Sequence, residues 1–159
     1  MSSELTVEPR NFWNRMAIQG LPRWIISLVL FGLLYQQGTY GLVVSLGLLT
    51  IFTIQTAIGA KYQLVNFSRQ ANEFEFQFYK FDRLQTIKIP VGELKMNWKP
   101  ILQHRKGWTL KFYWNNQFIF HQKNFDNWTI EMQQELFRNI VTEQGREPTV
   151  DEKIISNWK

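Results

Sequence analysis

Cysteine is missing from all 159 residues, which excludes a disulfide framework, a thiolate zinc site and a cysteine nucleophile. Histidine is almost missing. His104 lies in a basic stretch and His121 in an aromatic run, and neither has neighbours at metal-ligand spacing. A phosphate-cradling glycine loop and an HExxH pattern are also lacking. The expectation is therefore no metal, no cofactor and no catalytic residue. Glu73, Glu75, Asp82, Glu93, Asp126, Glu131 and Glu135 read as solvated strand and helix faces, so an enzyme would need distant residues that converge in the fold.

The absence with the largest consequence is that of charge: residues 24–60 hold no Asp, Glu, Lys or Arg, while nearly all the charge follows Lys61. A mean hydropathy of −0.26 conceals this division between two solvents. The net charge of +5 favours an anionic neighbour, and the uncharged run makes that neighbour a lipid bilayer before a nucleic acid.

A hydrocarbon layer of about 30 Å takes roughly 17 to 25 apolar residues in helix. Residues 21–37 and 40–60 supply two such stretches, and Gln36-Gln37-Gly38-Thr39 falls between them as a turn. Arg23 can snorkel to the headgroups, with Trp24 and Tyr35 at interfacial positions. A cleaved signal peptide fits poorly, because a second apolar segment follows the first at once. A re-entrant helix would place the polar tip in hydrocarbon. A buried hairpin in a soluble protein stays open, although the other hundred residues would have to cover two helices that are apolar nearly all round. Arg10, Arg15 and Arg23 precede the hairpin, Lys61 and Arg69 follow it, and the tip carries no cation. Two passes with both termini cytoplasmic are expected. Residues 1–20 read as an arm or, over 7–20, as a short interfacial helix. In the second helix Gly41 and Ser45, four apart, and Gln55 suit either association with another helix or the hairpin's own packing.

Beyond Lys61 the period falls to two. Phe74, Phe76 and Phe78 alternate with Glu75, Gln77 and Tyr79; LQTIKIPV, ELKMNW and YQLVNFS are further strands; and GWTLKFYWNNQFIFHQ reads as a hairpin turning at Asn115-Asn116. About six strands with short links favour an antiparallel sheet curled into a small barrel. One helix follows. Trp128, Met132, Leu136 and Ile140 fall four apart beside Phe137 and Val141, with Asp126 or Asn127 to cap the start and Gly145 to end it. The tail, residues 146–159, sets Thr149 and Glu152 at capping-box spacing before Val150, Ile154, Ile155 and Trp158, an apolar face that must pack back on the domain or dock elsewhere.

This order of elements resembles the small bacterial membrane-anchored pleckstrin-homology-like (PH-like) proteins, including the YcxB-like family. The resemblance rests on the apolar pair within residues 24–60, on TIKIPVGEL (86–94) and on KNFDNWTIEMQQELF (123–137), and extends over residues 21–142. It implies an α+β chain at the bacterial inner membrane: a transmembrane helical hairpin over 21–60, then a cytoplasmic PH-like antiparallel barrel or sheet over 61–145, closed by a C-terminal amphipathic helix. It also implies seven strands, one more than the sequence places, and no catalytic residues.

The best candidate surface is WKPILQHRKGW, where Lys99, Arg105 and Lys106 surround Ile101 and Leu102 between Trp98 and Trp108. Cations with interfacial apolar groups suit anionic lipid, and an ordinary solvated loop has the same composition. The expected function is a non-catalytic, membrane-anchored interaction module that presents its PH-like domain to a protein partner or anionic lipid. The alternatives are an accessory subunit of a transporter or envelope complex, assembled through its transmembrane helices, and last an enzyme acting on membrane-associated substrates.

Overall fold

The computed structural model describes residues 4–100, 108–123 and 127–156, apart from the side chains of Gln37, Lys99, Pro100 and Ile155. The chain divides into two compact units. One is Arg10–Lys61; the other joins residues 1–9 to residues 62–159.

The first unit is a helical hairpin of α1 (Phe12–Leu34) and α2 (Thr39–Ala60), linked by a 3-10 turn at Tyr35–Gln37. At a rise of about 1.5 Å per residue each helix is about 33 Å long, enough to cross a bilayer. Both are long and apolar enough to do so. The polar stretch after Tyr35 is the turn, and Gly38 makes it possible with φ 69° and ψ −149°, a region closed to residues with a Cβ. Leu28, Val29, Leu33, Val43, Leu46 and Ile54 are all exposed, so the hairpin wears an apolar mantle.

Polar groups inside the hairpin are satisfied locally. Arg15 is buried, and it donates to the carbonyls of Ala60, at 3.0 Å, and of Arg10. A cation thus meets the carbonyl end of α2, where the helix dipole is negative. Ser27, Ser45, Thr50, Thr53 and Thr56 each donate to the carbonyl four residues back. No hydroxyl among them is left facing hydrocarbon without an acceptor. Arg23 lies 15 residues before Gly38 and reaches Thr56, 18 residues after it, so its side chain leans about one turn away from the tip. That is the snorkelling direction.

The expected boundary at residue 20 does not exist. Asn11 caps α1, its side chain accepting from Asn14 N at 2.8 Å, and the helix continues unbroken through Gly20 and Pro22. Gly20 lies under the Trp24 ring, which a Cβ would meet at 2.7 Å. The N-terminal arm is a strand instead. β1 (Leu5–Thr6) pairs antiparallel with β2 (Tyr62–Gln70), Leu5 opposite Phe67, and Val7 N donates to Val65 O at 2.8 Å. The helical hairpin is therefore an insertion between two paired strands, and the second unit is tethered by two chain connections rather than one.

In the second unit two antiparallel sheets follow the order β1-β2-β3-β4 and β5-β6-β7, with β3 at Glu73–Lys80, β4 at Arg83–Pro90, β5 at Leu94–Pro100, β6 at Trp108–Trp114 and β7 at Gln117–Lys123. The period-two segments all become strands, and β1 brings the number among the described residues to seven. Phe74, Phe76 and Phe78 point into one core with Phe67, Ile89, Phe112 and Phe120, and Phe76 meets rings of both sheets. Helix α3 (Ile130–Glu143) adds Leu136, Phe137, Ile140 and Val141 to the same core. Its cap is Thr129, which accepts from Met132 N at 3.3 Å, rather than Asp126 or Asn127. Asp126 lies outside the described residues, and Asn127 donates to Glu8 O at 3.3 Å. A short α4 (Val150–Ile155) ends the described chain.

Side chains join the sheets where no ladder does. At the β2 bulge, Leu64 N donates to Gln122 Oε1 at 2.7 Å, and Leu64 O accepts from Trp128 Nε1 at 2.8 Å. Gln133 Nε2, fully buried on α3, donates to Gln122 O at 2.8 Å. Each bond satisfies a backbone group that the bulge or the strand end would otherwise leave buried and unmet.

Candidate functional site

The tryptophans of the basic segment face inward. Pro100 lies opposite Trp108 in the β5–β6 pair, the Trp98 ring meets Trp108 at 6.0 Å and Phe137 of α3 at 5.2 Å, and both tryptophans are half-buried. Part of each ring's surface is taken up by these contacts, and the rest is exposed. Lys99 stands opposite Thr109, and Ile101, Leu102, Arg105 and Lys106 lie outside the described residues, as does His104.

The tail is fastened by its polar side. Thr149 accepts from Glu152 N at 3.3 Å while Glu152 accepts from Thr149 N at 2.8 Å, the capping box that the spacing predicts. Arg146 grips Glu152 with two nitrogens, at 2.8 and 2.9 Å, and Arg138 donates to Ser156 O at 3.0 Å. Val150 is 74% exposed and Ile154 73%. The apolar face does not pack back on the domain through these two residues. The polar contacts decide the orientation, since Ser156 is buried and the helix can turn only one side inward. The Ile155 side chain and Trp158 lie outside the described residues.

The helix-association residues separate. Gly41 and Ser45 are buried within the hairpin, with Ser45 donating to Gly41 O at 2.9 Å, so they serve its own packing. Gln55 is exposed on α2.

A cleft of about 430 Å³ opens between the β4–β5 connection and the start of the tail, lined by Gly92, Leu94, Lys95, Met96, Gln144, Arg146 and Glu152. Its polar groups are committed to structure. Gln144 Nε2 donates to Val91 O at 2.9 Å and Leu94 O at 2.8 Å, stapling that connection to the end of α3, and Lys95 donates to Asn116 Oδ1. Hydrogen bonding to Arg146, then to the Thr149 backbone, holds the Glu152 carboxyl below the usual carboxylate range. Glu75 is lowered likewise, first by the Gln77 amide and then by Lys88, and Glu131 first by its own backbone N–H at the start of α3. These are held anions, unsuited to donating protons near neutral pH. Among the described residues no three His, Cys, Asp or Glu side chains gather in a metal-binding group.

Sequence reasoning singled out Thr149 and Glu152 but missed Arg146, whose only signal is a cation three residues before the cap. It also passed over Phe81, Leu84 and Phe118, exposed apolar residues of the β unit that its alternation rule assigns to no particular face. Comparison with known proteins supplies no relative: no family model, no curated protein and no solved structure matches this chain.

Proposed function

We propose that the chain is a two-pass inner-membrane protein whose cytoplasmic domain is a non-catalytic interaction module of the PH-like kind. The apolar mantle of the hairpin supports the anchoring, because side chains such as Leu28, Leu33, Val43 and Leu46 would otherwise lie in water over the whole length of two helices. Seven strands in a four-plus-three arrangement, with α3 in their shared core, support a PH-like barrel closed by an amphipathic helix. The cations of Arg10, Arg15, Arg23 and Lys61 at the open end of the hairpin favour the cytoplasmic side for the domain.

The observation that carries the interaction reading is α4. A helix capped, ion-paired and fixed by its polar side while Val150 and Ile154 point outward offers a rigid apolar pair to a protein partner. A photo-crosslinking residue at Val150 in the full chain should give a discrete adduct in cells, lost in the Ile154→Asp variant. The same residue at Asn72, on an exposed strand turn, should give none. Equal adducts at both sites, or none at Val150, would contradict the reading. A second reading, assembly through the helices, is favoured by Gln55, an amide on the outer surface of α2 where hydrocarbon offers it no partner.

A further inference from the structure

Among the described residues, five large hydrophobic side chains of the β unit are exposed: Val150 and Ile154 belong to α4, and Phe81, Leu84 and Phe118 gather at one end of the sheets. That end is where Tyr62 begins β2, two residues after α2 ends. Tyr62 stands opposite Lys80 in the β2–β3 ladder, and Lys80 stands opposite Arg83 across the β3–β4 turn, Phe81-Asp82. Leu84 is the next pair along, opposite Tyr79. Phe118 of β7 meets the Tyr62 ring at 6.0 Å. Phe81 is 45% exposed, Leu84 53% and Phe118 46%, and the cations Lys61, Lys80 and Arg83 outnumber Asp82 among them.

Phe81 is the informative residue. It occupies φ 56°, the left-handed region that glycine or asparagine enters cheaply and a bulky side chain does not. Ala71 takes the same region in the β2–β3 turn, with φ 50° and a far smaller side chain, whereas Phe81 places a half-exposed aromatic ring at the tip of its turn and presents apolar surface outside the domain. The covalent tether says what is outside. Tyr62 follows a helix long enough to cross a bilayer, so an aromatic and aliphatic cluster with an excess of cations lies within a few residues of the hydrocarbon boundary.

We propose that this end of the β unit, with Phe81, Leu84 and Phe118 as apolar anchors and Lys80 and Arg83 as cations, rests on the anionic headgroups of the leaflet from which α2 emerges. The inference depends on the membrane reading and adds a second, lateral contact to it. Docking here would hold the domain in one orientation.

The test uses the full chain in nanodiscs of zwitterionic lipid with or without phosphatidylglycerol. The lack of cysteine lets one environment-sensitive fluorophore be placed at a time, at Leu84→Cys, at Asn72→Cys on the β2–β3 turn at the other end of that ladder, or at Leu46→Cys on α2. Spin-labelled lipid should quench the probe at position 84 and not the one at 72. Quenching at 84 should need anionic lipid and weaken in high salt, as the Debye length falls from about 10 Å at 0.1 M to about 3 Å at 1 M. Lys80→Glu with Arg83→Glu should abolish it. Phe81→Gly should reduce it severalfold while raising the thermal stability of the domain, because glycine relieves the positive φ; this separates lost contact from lost folding. Equal quenching at 84 and 72, or no quenching at 84 while position 46 is quenched, would overturn the docking and leave the membrane reading intact. An unquenched probe at position 46 would overturn both.

Discussion

At the scale of single residues, backbone angles written by short motifs were the most legible part of the chain. Asn115 and Asn116 have φ 50° and 60°, so both central residues of the β6–β7 turn are left-handed, as the asparagine pair between two aromatic runs predicts. Asn116→Gly should be neutral or stabilising, whereas Asn115→Val with Asn116→Val should destabilise by about 2 kcal/mol or more. Thermal unfolding of the full chain in detergent, followed by its near-ultraviolet signal, checks this; an unchanged midpoint in the double-valine variant would remove the turn from the account. Other residues were illegible for a physical reason. Gln122, Trp128 and Gln133 look like ordinary strand and helix residues, and their role appears only in the fold, where Gln122 and Trp128 meet Leu64's backbone beside the β2 bulge and Gln133 meets the carbonyl of Gln122. A bulge leaves no mark in the hydrophobic period.

At the scale of elements, period reveals a segment's type and cap chemistry reveals its ends. The alternation of Phe74, Phe76 and Phe78 announced β3, and Thr149 with Glu152 announced α4. What period cannot report is a two-residue strand such as β1, too short to repeat, or the direction in which a short helix with one apolar and one polar face will turn. For α4 the polar side won through Arg146 and Glu152. That pair makes the element acid-sensitive. Glu152 is held below its unfolded value, so its contribution is present above about pH 4.5 and is lost as pH falls through the lower folded value. The pair is half-exposed, and its worth at neutral pH is about 0.5 to 1 kcal/mol. Protection of the Lys153 and Ser156 amides against hydrogen exchange should therefore drop in acid in the parent chain. In Arg146→Met it should be lower at pH 7 and nearly level with the parent at pH 3. A difference that persists unchanged into acid would show that the guanidinium acts by packing on the Phe137 ring, which it overlies at 5.8 Å.

For the whole molecule, the end of the uncharged run at residue 60 marks the end of the helical hairpin, since that unit closes at Lys61, but its start at Arg10 lies well before the run begins at residue 24. The order of the units was misjudged in one respect, because β1 precedes the hairpin and returns the N-terminus to the sheet. In connectivity, that arrangement makes the hairpin an insertion between two paired strands of the β fold. The central claim, a two-pass anchor with its β domain in the cytoplasm, is tested most directly by cysteine accessibility in the otherwise cysteine-free full chain. With an impermeant thiol reagent on intact cells, Thr39→Cys at the hairpin turn should be labelled, and Asn72→Cys should react only after the membrane is broken. Labelling of Asn72→Cys in intact cells, or a Thr39→Cys that stays silent until lysis, would contradict it.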